Sequence, residues 1–497
     1  MGARYSLGVA AVVVIVLCAA HYRHVWGLGF LGHDTLPIVV SSVVESPGDV
    51  VRVLSEPHVG APFWSLFYRP LLKLSYSLDH ALYGFDARGY HVTSAVLLAV
   101  LSGLVFALAR RLAGPGRPVA AWVALLVFLL HPVHAEVLPA LERRGEVLCG
   151  VFLLLALLVQ LSPRTLSLRR PALGPALLTL AAIASKETAI VLPALVAAAV
   201  WLWSPRATAR ERRVHGAVAA LGPAAAVGVA AAVRLAVLGA LGGHDTAGLS
   251  SLASSGEIAG LLLFPQPVLS ASVWIPWLPL VAVSALAVVG FTGTRTRPAD
   301  PVLRADLRAA AFGAVFTLIL IAIHAYTGKT SRWYLLLPAI GWALLLGPAA
   351  DALWNAMRTS GGLWRVAAAV GLLALSLFSA AHARLSPVLH TYQEWPLAAR
   401  SRDAYLEAID ERVRSTPRGR ILVLEPFPNW VRFDREEYAR RPTVHTAAIL
   451  RRDSLEAWLR IAFPDKNVRV RRRRDGPFES DPDVLLIVTD RRAVRLR

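Results

Sequence analysis

Blocks of apolar sequence limit what this chain can become. Runs near 6–22, 89–109, 118–137, 146–162, 171–185, 187–203, 214–240, 273–291, 309–325, 333–350 and 365–382 carry few charges. A helix crosses a bilayer core with about 20 such residues, and lipid offers the backbone no other hydrogen-bond partner. The pattern predicts a polytopic α-helical membrane protein with about 11 transmembrane helices. Short runs such as 171–185 would be tilted, broken or merged with a neighbour. The run 257–270 contains LLLFPQPVL, and its two prolines suit a half-helix or interfacial segment better. Charged residues make up 17% of the chain and hydrophobic ones 56%, whereas a soluble domain carries about a quarter charged.

The formal net charge of +19 would suit nucleic acid, but no binding motif accompanies it, so nucleic acid is not an expected partner. The arginines lie instead in short loops and in the tail. Arg110, Arg111 and Arg117 follow the second run, and Arg164, Arg169 and Arg170 the fourth. Arg206, Arg210, Arg212 and Arg213 follow the sixth, Arg295, Arg297, Arg304 and Arg308 the eighth, and Arg358 and Arg365 flank the loop after the tenth. The alternate loops are poorer in basic residues. The positive-inside rule then places these loops and Arg4 in the cytoplasm, and the loop 23–88 and everything after 383 outside. The first run resembles a signal peptide, but the chain behind it is membrane-embedded, so it is expected to be an uncleaved span. Cys18 and Cys149 both fall in apolar runs and are not expected to form a disulfide.

The expected organisation is a membrane half, 1–382, that includes the external loop 23–88, followed by an external segment, 383–497. Trp64, Phe67, Tyr68, Tyr76 and Tyr83 among polar residues suit amphipathic pieces lying at the interface. Beyond 383 the composition turns polar. LAARSRDAYLEAIDERVRS from Leu397 reads as a charged helix, RILVLEP from Arg420 and DVLLIVTD from Asp483 as buried strands, and DSLEAWLRIAF from Asp453 as a capped helix. Helix, strand, helix, strand predicts a small C-terminal α/β domain. The run Arg469–Arg474 is either a solvated edge or a contact for membrane phosphates.

Polar groups recur on the side assigned as external. His33–Asp34 lies in GFLGHDTLPIV. Arg69 and His91 lie in the stretch Phe67–Ser94. His131, His134, Glu136, Arg143, Arg144 and Glu146 lie in Leu129–Leu148. Lys186–Glu187 separates two apolar runs, and GKTSRWYLLLP adds Lys329, Arg332 and Tyr334. Ionisable groups at membrane depth are costly and mark sites, and several of both signs suggest a cavity for an anionic substrate.

The order YRPL…YGFDARGYH…HPVHAEV…RRGEVL…SKETA…FPQPVLS…SRWYLLLP closely resembles the membrane half of the O-mannosyltransferase-like transmembrane and tetratricopeptide-repeat family and its bacterial relatives, within the GT-C glycosyltransferases. The likeness covers most of 25–345. It implies an outward-facing active site, a polyprenyl-phosphate sugar donor, inversion at the anomeric carbon, and an acidic base in the first external loop, where Asp34 stands. The chain departs from the family pattern in three places. His33–Asp34 replaces an acidic pair, Ser94 replaces a common Asn, and helix and strand signals replace the helical repeats.

The chemistry is consistent with those residue types. A hydroxyl acceptor is a poor nucleophile, and a carboxylate can take its proton. The leaving lipid phosphate needs cations, which arginine supplies through its two-pronged fork. Arg69, Arg144 and Arg332 are the candidates, with Lys186 as a point charge. His91, His131 and His134 can donate to phosphate or sugar, Glu136, Glu187 and Tyr334 complete the donor-facing set, and His33 orients Asp34 or holds the acceptor. Structural alternatives stand beside each role. Asp34 can cap a short helix, Lys186–Glu187 can be a buried ion pair, HPVH with Glu136 can hold a metal, and Arg69 or Arg332 can anchor at the interface. No cofactor is otherwise expected. The expected partners are the polyprenyl-phosphate donor, a protein, glycan or lipid acceptor, and membrane lipids. The expected location is a bacterial inner membrane. A lipid-linked sugar transporter, or an inactive relative acting as a scaffold, is the competing reading.

Overall fold

The structure, a computed structural model, describes residues 2–32, 35–59, 67–114, 117–168, 170–205, 208–241, 255–263, 301–327, 332–359, 361–389, 394–415, 421–424, 452–464 and 484–487. The chain divides into two compact units. One holds Met1–Tyr22, Ser94–Val137 and Gly145–His390, the other Arg23–Thr93, Leu138–Arg144 and Thr391–Arg497. The second unit resumes at Thr391, and the segment Arg23–Thr93, expected as part of the membrane half, clusters with the C-terminal segment in that unit.

The first unit is helical and apolar. Among the described residues, five helices are long and apolar enough to cross a membrane: Ala87–Ala113, Ala209–Leu238, Leu303–Tyr326, Trp333–Thr359 and Arg365–Leu385. Gly8–Tyr22, Pro118–Leu129, Leu173–Ser185 and Glu187–Trp203 are shorter apolar helices. The chain reads as a multi-pass membrane protein. The expected run 273–291 lies outside the described residues. The expected run 118–137 is broken in two, because Pro132 cannot continue the helix. The Pro118–Leu129 helix ends, a turn follows, and a single turn resumes at His134–Val137.

The central helix of this unit is Leu336–Thr359. In the most apolar window of Trp333–Thr359, 94% of the residues are buried, against 22% for Ala209–Leu238 and 33% for Arg365–Leu385, whose other faces suit hydrocarbon. Small residues let the backbones close in. A Cβ on Gly341 would lie 2.7 Å from the backbone nitrogen of Thr317, and one on Gly347 would collide with the Ala120 carbonyl oxygen. At one end Arg117 donates to Asp351 (Nε to Oδ2, 2.6 Å) and to Asp306, tying three helices through carboxylates that are both buried.

The second unit packs short amphipathic helices around a few apolar anchors. Pro47–Ser55 starts with a capping box between Ser46 and Asp49, and three hydrogen bonds and the Arg52 side chain draw the Asp49 carboxyl down to about 2. Val50, Val51 and Leu54 on this helix, and Leu78 and Leu82 on Pro70–Tyr83, are exposed, as interfacial helices require. The C-terminal elements are Glu394–Ser415, strand Ile421–Leu424, helix Arg452–Ala462 and strand Val484–Ile487. The strands pair in parallel, Ile421 opposite Val484 through Leu424 opposite Ile487. A parallel pair needs a crossover connection, and the Arg452–Ala462 helix lies between the strands in sequence. That helix packs against Thr35–Ser41, just after the first-loop motif.

Candidate functional site

His33 and Asp34 lie outside the described residues. The turn on either side of them is built in detail. Leu31 forms a parallel bridge with Ala140. The Thr35 hydroxyl donates to the Leu31 carbonyl at 2.6 Å, lies 3.4 Å from Glu142 Oε2, and accepts the Glu142 amide at 3.3 Å. Gly32 has φ +109°, and a Cβ there would meet both Glu142 Oε2 and Thr35 Oγ1 at 2.5 Å. Only glycine tolerates that backbone and that approach. Glu142, half-buried, is a carboxylate at the flank of the first-loop motif that sequence reasoning missed.

His91 is buried and donates through Nε2 to the Gly29 carbonyl at 3.3 Å. It therefore holds the same loop. Phe30 packs edge-on against Tyr90, with centroids 5.1 Å apart. Arg69 precedes the Pro70–Tyr83 helix, half-buried, with its guanidinium 4.6 Å from the Phe67 ring.

Arg144 differs from the expectation of an open phosphate ligand. Its side chain and that of Asp79 are both 0% exposed, and Nη2 lies 2.6 Å from Asp79 Oδ2. The same nitrogen donates to the Tyr90 carbonyl at 2.7 Å, and Nη1 lies 3.3 Å from Ser75 Oγ. The guanidinium also stands 4.5 Å from the Tyr76 ring. Asp79 accepts the Thr93 hydroxyl at 2.6 Å, and Tyr76 donates to the Leu141 carbonyl. Burial pushes the Asp79 carboxyl up from its ordinary value, and Arg144 and Thr93 oppose that rise. The result is a tie joining Pro70–Tyr83, the start of Ala87–Ala113 and the segment ending at Arg144. Lys73 on the same helix is also fully buried, with Nζ 3.2 Å from the Pro57 carbonyl and 4.0 Å from Glu56. Burial pulls its ammonium down to about 8, against the attraction of Glu56.

Within the first unit, Lys186 pairs with Glu146 rather than with its neighbour Glu187. Its ammonium lies 4.9 Å from the Tyr334 ring, and that ring stacks on His324 with centroids 5.1 Å apart. Glu187 Oε1 accepts from Arg234 at 3.0 Å. Arg332 opens the 3₁₀ turn Arg332–Leu335; Lys329 lies outside the described residues.

The residues of HPVH do not converge. His131 Nε2 donates to the Leu262 carbonyl at 3.1 Å and its ring packs on His382, whereas His134 donates to the Phe128 carbonyl at 2.9 Å and packs on His21. Glu136 is buried. Among the described residues, no three His, Cys, Asp or Glu side chains are placed to share a metal ion.

No family model matches the chain. Protein O-mannosyl-transferase TMTC2 of Mus musculus and of Homo sapiens is 37% identical over 93 residues, 18% of this chain and 11% of each relative. Protein O-mannosyl-transferase Tmtc1 of Drosophila melanogaster is 33% identical over 177 residues, 34% of this chain and 20% of its own length. This chain is similar to the protein O-mannosyl-transferases. The match spans only about a tenth to a fifth of those relatives' length. A crystal structure of ArnT from Cupriavidus metallidurans bound to undecaprenyl phosphate is similar at 13% identity and a TM-score of 0.46, covering 94% of this chain and 89% of that one.

Proposed function

We propose that this chain is an inverting glycosyltransferase that moves a sugar from a polyprenyl-phosphate donor to an acceptor on the external face of a bacterial inner membrane. The observation that carries this reading is the 33% identity to an O-mannosyl-transferase over 177 residues. The glycine-rich first-loop turn, held by named side chains at Gly29, Leu31 and Thr35, supports it. In this reading the helices make about eleven spans, the N-terminus is cytoplasmic, and the C-terminal elements form a small external α/β domain.

Asp34 acts as general base. It takes the proton of the acceptor hydroxyl as that oxygen bonds to the anomeric carbon from the face opposite the phosphate. The bond from carbon to phosphate oxygen breaks, and polyprenyl phosphate leaves with the electron pair. Removing the acceptor proton in the transition state is a contribution of about 10²–10⁴-fold. In this reading Arg69 and Arg332 face the leaving phosphate, while Arg144 and Lys186 pair with Asp79 and Glu146. No metal is assigned a step.

The test is transfer from a polyprenyl-phosphate sugar in detergent, with donor binding measured alongside. Asp34→Asn lowers turnover by about 10² or more and leaves donor binding within a few-fold. Normal transfer by Asp34→Asn would remove the base from this residue and favour a transporter or scaffold.

A further inference from the structure

Arg402 lies on the Glu394–Ser415 helix, some 370 residues from the first-loop motif, yet its side chain reaches that loop. Nη1 donates to the Phe30 carbonyl at 3.1 Å. The fit depends on Gly29, which has φ +65°, and a Cβ there would lie 2.8 Å from Arg402 Nη2. The neighbouring Asp403 receives Nε at 2.8 Å and Nη2 at 2.6 Å through one oxygen, which fixes the fork and leaves Nη1 for the loop. Arg402 is only 7% exposed, so water does not compete freely for these donors. Two further contacts bring the same C-terminal segment onto this region. Trp395 stacks under Arg143, 5.5 Å from its guanidinium, and the Arg452–Ala462 helix packs on Thr35–Ser41. With His91 on the Gly29 carbonyl and Ala140–Glu142 along Leu31 and Thr35, the loop is gripped on several sides. Arg402 is the only grip among these that carries a full charge to a loop carbonyl.

We infer that Arg402 is a positioning residue for the first-loop base: the C-terminal segment is a working part of the catalytic loop and not a detachable acceptor module. The inference rests on the reading of Asp34 as base. Arg402 fixes Phe30, four residues before Asp34, through a charge-assisted hydrogen bond in a partly buried setting, and such bonds are the stronger ones. Misplacing a reacting group by about 1 Å costs about 10²-fold. The effect falls on kcat, because the grip acts on the loop and touches no donor group.

The test uses the full-length protein in detergent and has two readouts. Hydrogen exchange follows the Leu31 and Thr35 amides, which bond to the Gly29 and Gly32 carbonyls. Steady-state transfer gives kcat and the donor KM. Arg402→Ala is expected to speed exchange at these amides at least tenfold, with the membrane helices unchanged, and to lower kcat about 10²-fold with donor KM within about threefold. Arg402→Lys, which keeps the charge and one donor, recovers part of both. Gly29→Ala, which presses on the guanidinium from the other side, reproduces the Arg402→Ala pattern in a chain that keeps the arginine. Wild-type exchange and kcat in Arg402→Ala would overturn the inference, as would faster exchange throughout the chain without recovery by lysine. Faster exchange at the loop in Arg402→Ala together with normal transfer by Asp34→Asn would overturn the base assignment instead.

Discussion

Replacing Asp79 by alanine separates a structural tie from a substrate ligand at Arg144. Both side chains of the pair are 0% exposed. Removing one partner of a buried ion pair leaves the other charge unmatched and costs about 3–5 kcal/mol. The Arg144 guanidinium keeps the Tyr90 carbonyl, the Ser75 hydroxyl and the Tyr76 ring, which places the expected loss toward the lower end, about 3 kcal/mol. Thr93 loses its acceptor as well, adding roughly 1 kcal/mol. Unfolding followed in mixed detergent micelles against a denaturing detergent gives the free energy, and donor binding is measured on the fraction that stays folded. The tie predicts a large loss of stability for both Asp79→Ala and Arg144→Ala, with the Asp79→Leu/Arg144→Met double variant nearer the wild type than either single one. A loss below about 1 kcal/mol for Asp79→Ala, or an Arg144→Ala protein of normal stability that no longer binds donor, would refute the reasoning.

Lys73 has its pKa lowered from 10.5 to about 8 by burial; between these values the unfolded chain binds more protons, so stability rises with pH from about 8 to 10.5, and Lys73→Met removes that slope in unfolding measured across the window. Gly32→Ala puts a Cβ 2.5 Å from Glu142 Oε2 at φ +109° and is expected to lose transfer while the membrane helices melt normally; full activity would mean that the turn's shape is irrelevant to chemistry. A cysteine introduced at position 250 is expected to react with an impermeant reagent from outside and one at 208 only from inside, the two native cysteines being buried; the reverse pattern would invert the topology and the proposed site with it.

The helical part of the fold was legible because bilayer length and the loss of hydrogen-bonding water leave a chain few options. The C-terminal elements were also legible, since the strands and the helix from Arg452 fall where the polarity pattern put them. Pairing was not. Lys186 and Glu187 are adjacent and of opposite sign, so an ion pair between them was a natural expectation. The backbone at Lys186 is extended, with φ −161° and ψ 140°, and a 3₁₀ turn begins at Glu187. The two side chains diverge, one to Glu146 and the other to Arg234. Asp79 left no signal at all, because its partner is 65 residues away on another segment. Arg402 was harder still. Its partner is a backbone carbonyl, and carbonyls have no sequence signature.

These pairings change the electrostatic reading of the site. The sequence supplies many cations near the expected outer face, a number that by itself suggests a phosphate site. Burial alters that arithmetic, because a buried charge must be matched by another charge or by hydrogen bonds. Arg144 and Lys186 are matched by carboxylates and Arg402 by Asp403 and a carbonyl, so these three buried cations are already committed to the protein. Arg69 is half-buried and stands at the N-terminus of the Pro70–Tyr83 helix, where the unsatisfied amides favour an anion. Under the proposed function the leaving phosphate needs a cation held beside such a helix end, and Arg69 is the candidate for it in the same unit as the gripped first loop.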